Sequence, residues 1–115
     1  MSESSPANHN STIVNDIIET FTYTAMLSTE IRNMLIDRAG GNPVSCYLRF
    51  KKSFNYLYML SSDHKDMINS ETKKLFLTWR DKTLTGSEDI HIGLKLFDTY
   101  KTELYAAHLL TFRGE

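Results

Sequence analysis

Apolar residues recur every three or four positions in this chain from Ser11 to Phe112, in four successive runs. That spacing is the period of an α-helix presenting one face to a core, and alternation of strand type is largely missing. The chain has only five Gly and two Pro. They cluster where helices would be separated. Gly40-Gly41-Asn42-Pro43 combines a left-handed stop, a capping side chain and a proline suited to a first helical position. Gly86-Ser87-Glu88-Asp89 repeats the pattern, with Ser87 as the expected cap and two carboxylates in the next first turn, where the helix dipole favours them. Ser61-Ser62-Asp63 is a weaker break of the same kind.

The punctuation predicts helices over about residues 12–38, 43–60, 64–84 and 88–112. Their core faces are expected to carry Ile13, Ile17, Phe21, Ala25 and Leu35; Tyr47, Phe50, Phe54, Leu57 and Tyr58; Ile68, Leu75 and Trp79; and Ile90, Leu94, Phe97, Leu104, His108 and Phe112. Thr20-Phe21-Thr22-Tyr23-Thr24 alternates as a strand would. The helical period nevertheless runs through it to Leu35, so a helix is expected there. Short connections make successive helices antiparallel. The fold class expected is all-α, a four-helix antiparallel bundle. Residues 1–10, rich in Ser, Asn and Pro, read as a disordered tail, and 11–115 as a single domain.

Composition narrows the function classes. Net charge is −1 and the isoelectric point about 6.4, so no global field draws the chain to nucleic acid or an anionic membrane. Cysteine occurs once, at Cys46, which excludes an internal disulfide. The expected role of Cys46 is a small packing residue near a helix start. The N-terminal residues lack the apolar run of a secretory leader, and no stretch reaches the apolar length of about 18 residues needed to span a bilayer. A cytoplasmic location is the expectation, under which the Asn10-Ser11-Thr12 sequon is a chance match.

Catalytic and metal-binding patterns are missing from the sequence. The four histidines, His9, His64, His91 and His108, form no i, i+4 pair. Glu88-x-x-His91 has the spacing of a di-iron element, but it occurs once and at a helix start. His91-Ile92-Gly93-Leu94-Lys95 holds the residue types of a phosphotransfer histidine in the wrong order. His108 is expected to be a partly buried, hydrogen-bonded core histidine. There is no nucleophile elbow and no phosphate-cradling glycine loop, since Gly40-Gly41 leads into Asn-Pro. The expectation is a non-enzymatic protein with no metal and no cofactor.

What remains is surface. Tyr23, Leu27 and Met34 project within about 40° of one another, away from the Ile17–Phe21 face, at roughly 100° per residue. Leu48, Tyr56, Met59 and Leu60 lie largely opposite Phe54, and Ile92, Leu96 and Leu110 fall off the main stripe of the fourth helix. This apolar excess predicts a contact surface anchored on Tyr23, Leu27, Met34, Tyr56 and Met59. Its occupant would be a second copy in a two-fold dimer or a different protein. No motif selects a family. Small bundles of this size include phage- or plasmid-type regulators, secretion chaperones and immunity proteins, a fold-level analogy that selects none of them.

Charge is unevenly spread. Residues 1–40 hold two basic and five acidic residues, 41–85 eight and four, and 86–115 three and five. Arg49, Lys52, Lys73, Lys74 and Arg80 therefore offer an alternative, a nucleic-acid-binding patch on the second and third helices. Arg49, Lys52 and Tyr56 share one side of their helix, the arrangement that phosphate neutralisation and base stacking require. A patch of this size is modest beside the strongly basic domains that bind DNA.

Overall fold

A computed structural model of the chain describes residues 6–37, 43–61, 68–82 and 86–106. Every element among them is an α-helix: α1 (Pro6–Asp37), α2 (Pro43–Ser61), α3 (Ser70–Asp81) and α4 (Ser87–Ala106). The all-α bundle expected from the periodicity is the fold. The expected tail over residues 1–10 falls partly outside the described residues, and α1 begins at Pro6. Also outside them lie the separators Gly40-Gly41-Asn42 and Ser62-Asp63, and the positions beyond Ala106 that include His108, Leu110 and Phe112.

The Thr-rich stretch is helical for a local reason. Thr22 Oγ1 donates to the Ile18 carbonyl at 2.8 Å and Thr24 Oγ1 to the Thr20 carbonyl at 2.7 Å. These back-bonds give β-branched hydroxyls a partner inside a helix, so the alternation never has to form a strand. Several boundaries differ from expectation. α3 starts at Ser70 rather than near residue 64, because the Asn69 side chain caps it by accepting from the Glu71 amide at 2.8 Å. It ends at Asp81 rather than 84, where Lys82 turns extended. Ser87 is the first residue of α4 rather than its cap, since the Gly86 carbonyl accepts the Ile90 amide at 3.0 Å.

Side-chain pairings fix the topology. Cys46 faces Leu27 while Ser53 faces Thr24, so α1 and α2 are antiparallel. Asn55 faces Arg80 and Tyr58 stacks on Phe76, so α2 and α3 are antiparallel. Thr72 faces Glu103 while Trp79 covers Gly93, so α3 and α4 are antiparallel too. Arg32 pairs with Asp98 and Phe21 with Tyr105, which closes α1 against α4. The bundle runs up, down, up, down.

α2 lies at the centre. Phe54 is fully buried and has five ring neighbours within 5.8 Å: Phe50 on its own helix, Phe76 and Trp79 on α3, Phe97 and Tyr100 on α4. Their tilted and edge-on arrangements match the quadrupole preference of aromatic pairs. Because α2 touches all three other helices, its buried arc is wide, which absorbs part of the apolar excess in its sequence. Buried polar groups are paired among the helices. Thr24 and Ser53 share a hydrogen bond across α1 and α2, as do Ser61 and Tyr100 across α2 and α4. The Trp79 indole N–H donates to the Tyr47 hydroxyl at 2.9 Å, and that hydroxyl donates to the Asp89 carbonyl at 3.3 Å. Among the described residues no buried side-chain nitrogen or oxygen lacks a partner, as a well-specified core requires.

Candidate functional site

The outward edge of the α1–α2 pair forms an open groove of about 590 Å³. From α1 it takes Glu19, Thr20 and Tyr23. From α2 it takes Arg49, Lys52, Tyr56 and Met59, with Ser53 and Asn55 beside them. The α2 residues are spaced three, four and three apart, which sets them in one line along the helix. Tyr23, Tyr56 and Met59 are 43, 53 and 56% exposed, so each holds its apolar surface in water. Met26, one turn beyond Tyr23, extends the exposed stripe on α1. Charge is divided between the two banks: a carboxylate on α1, a guanidinium and an ammonium on α2.

Three of the five expected contact anchors are therefore brought together. Leu27 is not one of them. It is 2% exposed and belongs to the core. The correction has a geometric cause. α1 packs against α2 on one side, at Leu27 and Thr24, and against α4 on the other, through Phe21. Its buried arc spans roughly 120° at 100° per residue, wide enough to take in Leu27 as well as Phe21. Tyr23 is the next position outward. Met34 is partly buried against the core and is not among the residues that line the groove.

The basic patch is split. Arg49 and Lys52 line the groove beside Tyr23 and Tyr56. Arg80 is turned to α2, donating to Asn55 Oδ1 at 3.2 Å and to Asp81 at 3.1 Å. Lys73 and Lys74 sit on α3 and contribute nothing to the groove's walls.

A second groove, of about 430 Å³, runs between α3 and α4. Helical spacing alone assigns Leu75 to the core, yet it is 58% exposed on the rim of this groove, and Phe76 takes the buried place. The inward seam of α3 is Thr72, Phe76 and Trp79, all buried, spaced four and three apart. Leu75 falls one residue outside it. On α4, Ile92 is exposed as expected, but Leu96 is buried.

Among the described residues, Cys46 and His91 lie outside the grooves and have structural partners. Cys46 is buried as expected, with Sγ 3.7 Å from the Leu27 carbonyl and 3.6 Å from Glu30 Oε1. Burial, and then the bond to Glu30, pushes its thiol above the ordinary range, so it stays protonated and poorly nucleophilic. His91 Nδ1 contacts the Ser87 carbonyl at 2.8 Å within its own first turn. Among the described residues no cluster of His, Cys, Asp and Glu has the arrangement of a metal site, and no helix is long and apolar enough to cross a membrane. His64 and His108 lie outside those residues, as does the side chain of His9. Comparison with protein families, with curated proteins and with solved structures yields no match to this chain.

Proposed function

We propose that this protein acts by binding rather than by catalysis, as a small regulator that pairs with a second copy through the α1–α2 face. One observation carries the proposal: the groove has an apolar centre between banks of opposite charge, a lining that a second copy could complement. Its centre is aromatic and thioether surface from Tyr23, Tyr56 and Met59, and its banks carry opposite charge, Glu19 on α1 against Arg49 and Lys52 on α2. A two-fold axis lays α1 of one copy on α2 of the other. Each carboxylate then meets the partner's cations, while the exposed rings and thioethers are removed from water.

The test is sedimentation equilibrium on Tyr56→Asp/Met59→Asp. Both residues are more than half exposed in the isolated chain, so helicity is expected to hold. The unmodified protein should sediment as a dimer and the variant as a monomer. Charge reversal of Arg49 and Lys52 to Glu should weaken pairing, and Glu19→Lys in the same chain should restore it. An unmodified protein that stays monomeric at every concentration overturns the proposal.

A second reading is favoured by the placement of Arg49 and Lys52 beside two exposed tyrosines: nucleic acid held by phosphate contacts and base stacking. Titration of labelled single strands at two salt concentrations separates the readings. A steep loss of affinity with salt supports nucleic acid.

A further inference from the structure

We propose that the groove between α3 and α4 docks an acidic amphipathic helix of a different protein. This face lies on the opposite pair of helices from the pairing surface and does not depend on it.

Three observations lead there. The first is apolar surface: Leu75 and Ile92 stand exposed on the two banks, over a floor of Trp79 and Leu96 that is almost wholly buried. The second is charge. The lining holds Lys82 and Lys95 and, among the described residues, no carboxylate. Lysine ammoniums donate only, so the occupant must supply acceptors, and carboxylates answer them best. Here the two grooves differ, since the α1–α2 groove carries both signs and this one carries a single sign. The third is length. From Leu75 to Lys82 the α3 bank covers two helical turns, about 10 Å at 1.5 Å per residue. That fits a helix presenting leucines at i, i+3 or i+4, and i+7, with glutamates beside them. A nucleic-acid duplex would set phosphates against Leu75 and Ile92, and the apolar floor argues against it.

The far bank is held in place. The Lys51 ammonium donates to the Lys82 carbonyl and lies 5.1 Å from the Trp79 ring centroid, so the C-terminal end of α3 is tied to α2. The docking surface is thereby preformed, and little ordering cost opposes binding.

Trp79 supplies the readout, because it is the single tryptophan of the chain and forms part of the groove floor. The probes are two synthetic helical peptides without tryptophan. They share one leucine pattern and are flanked by glutamates in one case and lysines in the other. The glutamate peptide should shift Trp79 emission saturably, and the lysine peptide should not. Lys82→Glu/Lys95→Glu should lower affinity for the glutamate peptide roughly tenfold and admit the lysine peptide. Leu75→Ser, at an exposed position, should weaken the glutamate peptide while leaving the dichroism spectrum unchanged. Tyr56→Asp/Met59→Asp should leave its affinity unaltered, which separates this surface from the pairing face.

Equal binding of both peptides, or binding of neither, overturns the proposal. So does an emission shift with phosphatidylglycerol vesicles or duplex DNA that the glutamate peptide fails to reproduce. Self-association abolished by Lys82→Glu would also overturn it, by making the occupant a second copy.

Discussion

A methyl group on Gly93 would lie 2.6, 2.9 and 3.0 Å from three ring atoms of Trp79. The indole has no room to yield: it is buried and its N–H is tied to Tyr47. Two effects oppose each other in Gly93→Ala. Alanine favours the helix by about 1 kcal/mol, whereas overpacking a rigid core contact costs about 1–3 kcal/mol. Three ring contacts at such distances place the clash toward the upper end, so the variant should lose about 1–2 kcal/mol in urea unfolding. A gain in stability would show that α3 and α4 part without cost. Tyr100 is a fully buried residue whose ionisation bears on stability. Burial pushes its hydroxyl up to about 12 from 10.0, against a smaller opposite pull from the Ser61 bond. A raised value means the folded state keeps a proton that the unfolded state releases. Stability is then fully present below pH 10 and falls as pH rises toward 12, by about 2–3 kcal/mol for a shift of this size. Tyr47, raised by its own burial, adds to the loss. Lys51, lowered chiefly by burial, works in the opposite direction. Thermal unfolding followed across that range should show a falling midpoint, and Tyr100→Phe should shallow the fall.

At the scale of elements, Glu103 joins α4 to the start of α3. One carboxylate oxygen accepts the Asn69 amide at 2.7 Å and the other the Thr72 hydroxyl at 2.6 Å, while Asn69 Oδ1 caps Glu71. A negative charge at a helix N-terminus also meets the positive end of its dipole. Asn69→Ala should cost about 1 kcal/mol, as lost caps do. Glu103→Gln should cost a similar amount, since one amide cannot accept at both positions as a carboxylate does. The double variant should lose less than the sum, because both act on the same turn. Full additivity in denaturant unfolding would mean the two contacts hold separate structures. This junction also marks where elements are legible in the sequence. The starts of α2 and α4 are, because Pro43 and Gly86 punctuate the chain there. The start of α3 is harder: Ser62-Asp63 offers cap-competent residues earlier than Asn69 does. What selects Asn69 is Glu103, some thirty residues downstream, and no local pattern records such a partner.

At the scale of the whole molecule, the outcome turns on how many neighbours each helix has. Helical spacing separates a core face from an outer one only where a helix has one packed side. α1 has two, which is why Leu27, grouped by angle with Tyr23 and Met34, lies inside while Tyr23 lies at the rim. The charges on the groove banks are legible by residue type, but that Glu19 faces Arg49 and Lys52 across it follows only from the pairing of α1 with α2. Tyr23 and Leu27, one helical turn apart, therefore separate folding from the proposed pairing. Leu27→Ala removes a side chain buried against α2 and leaves a cavity between two helices, with an expected loss of about 2–4 kcal/mol in chemical unfolding. Tyr23→Ala empties no core position. Its unfolding free energy should stay within about 0.5 kcal/mol of the parent monomer, while the proposed dimer should dissociate at lower dilution in sedimentation. A Tyr23→Ala protein that unfolds as easily as Leu27→Ala would make the α1–α2 edge a piece of the core. A Leu27→Ala protein that keeps its stability and loses only pairing would return Leu27 to the surface, and with it the wider apolar stripe that angle alone assigns to α1.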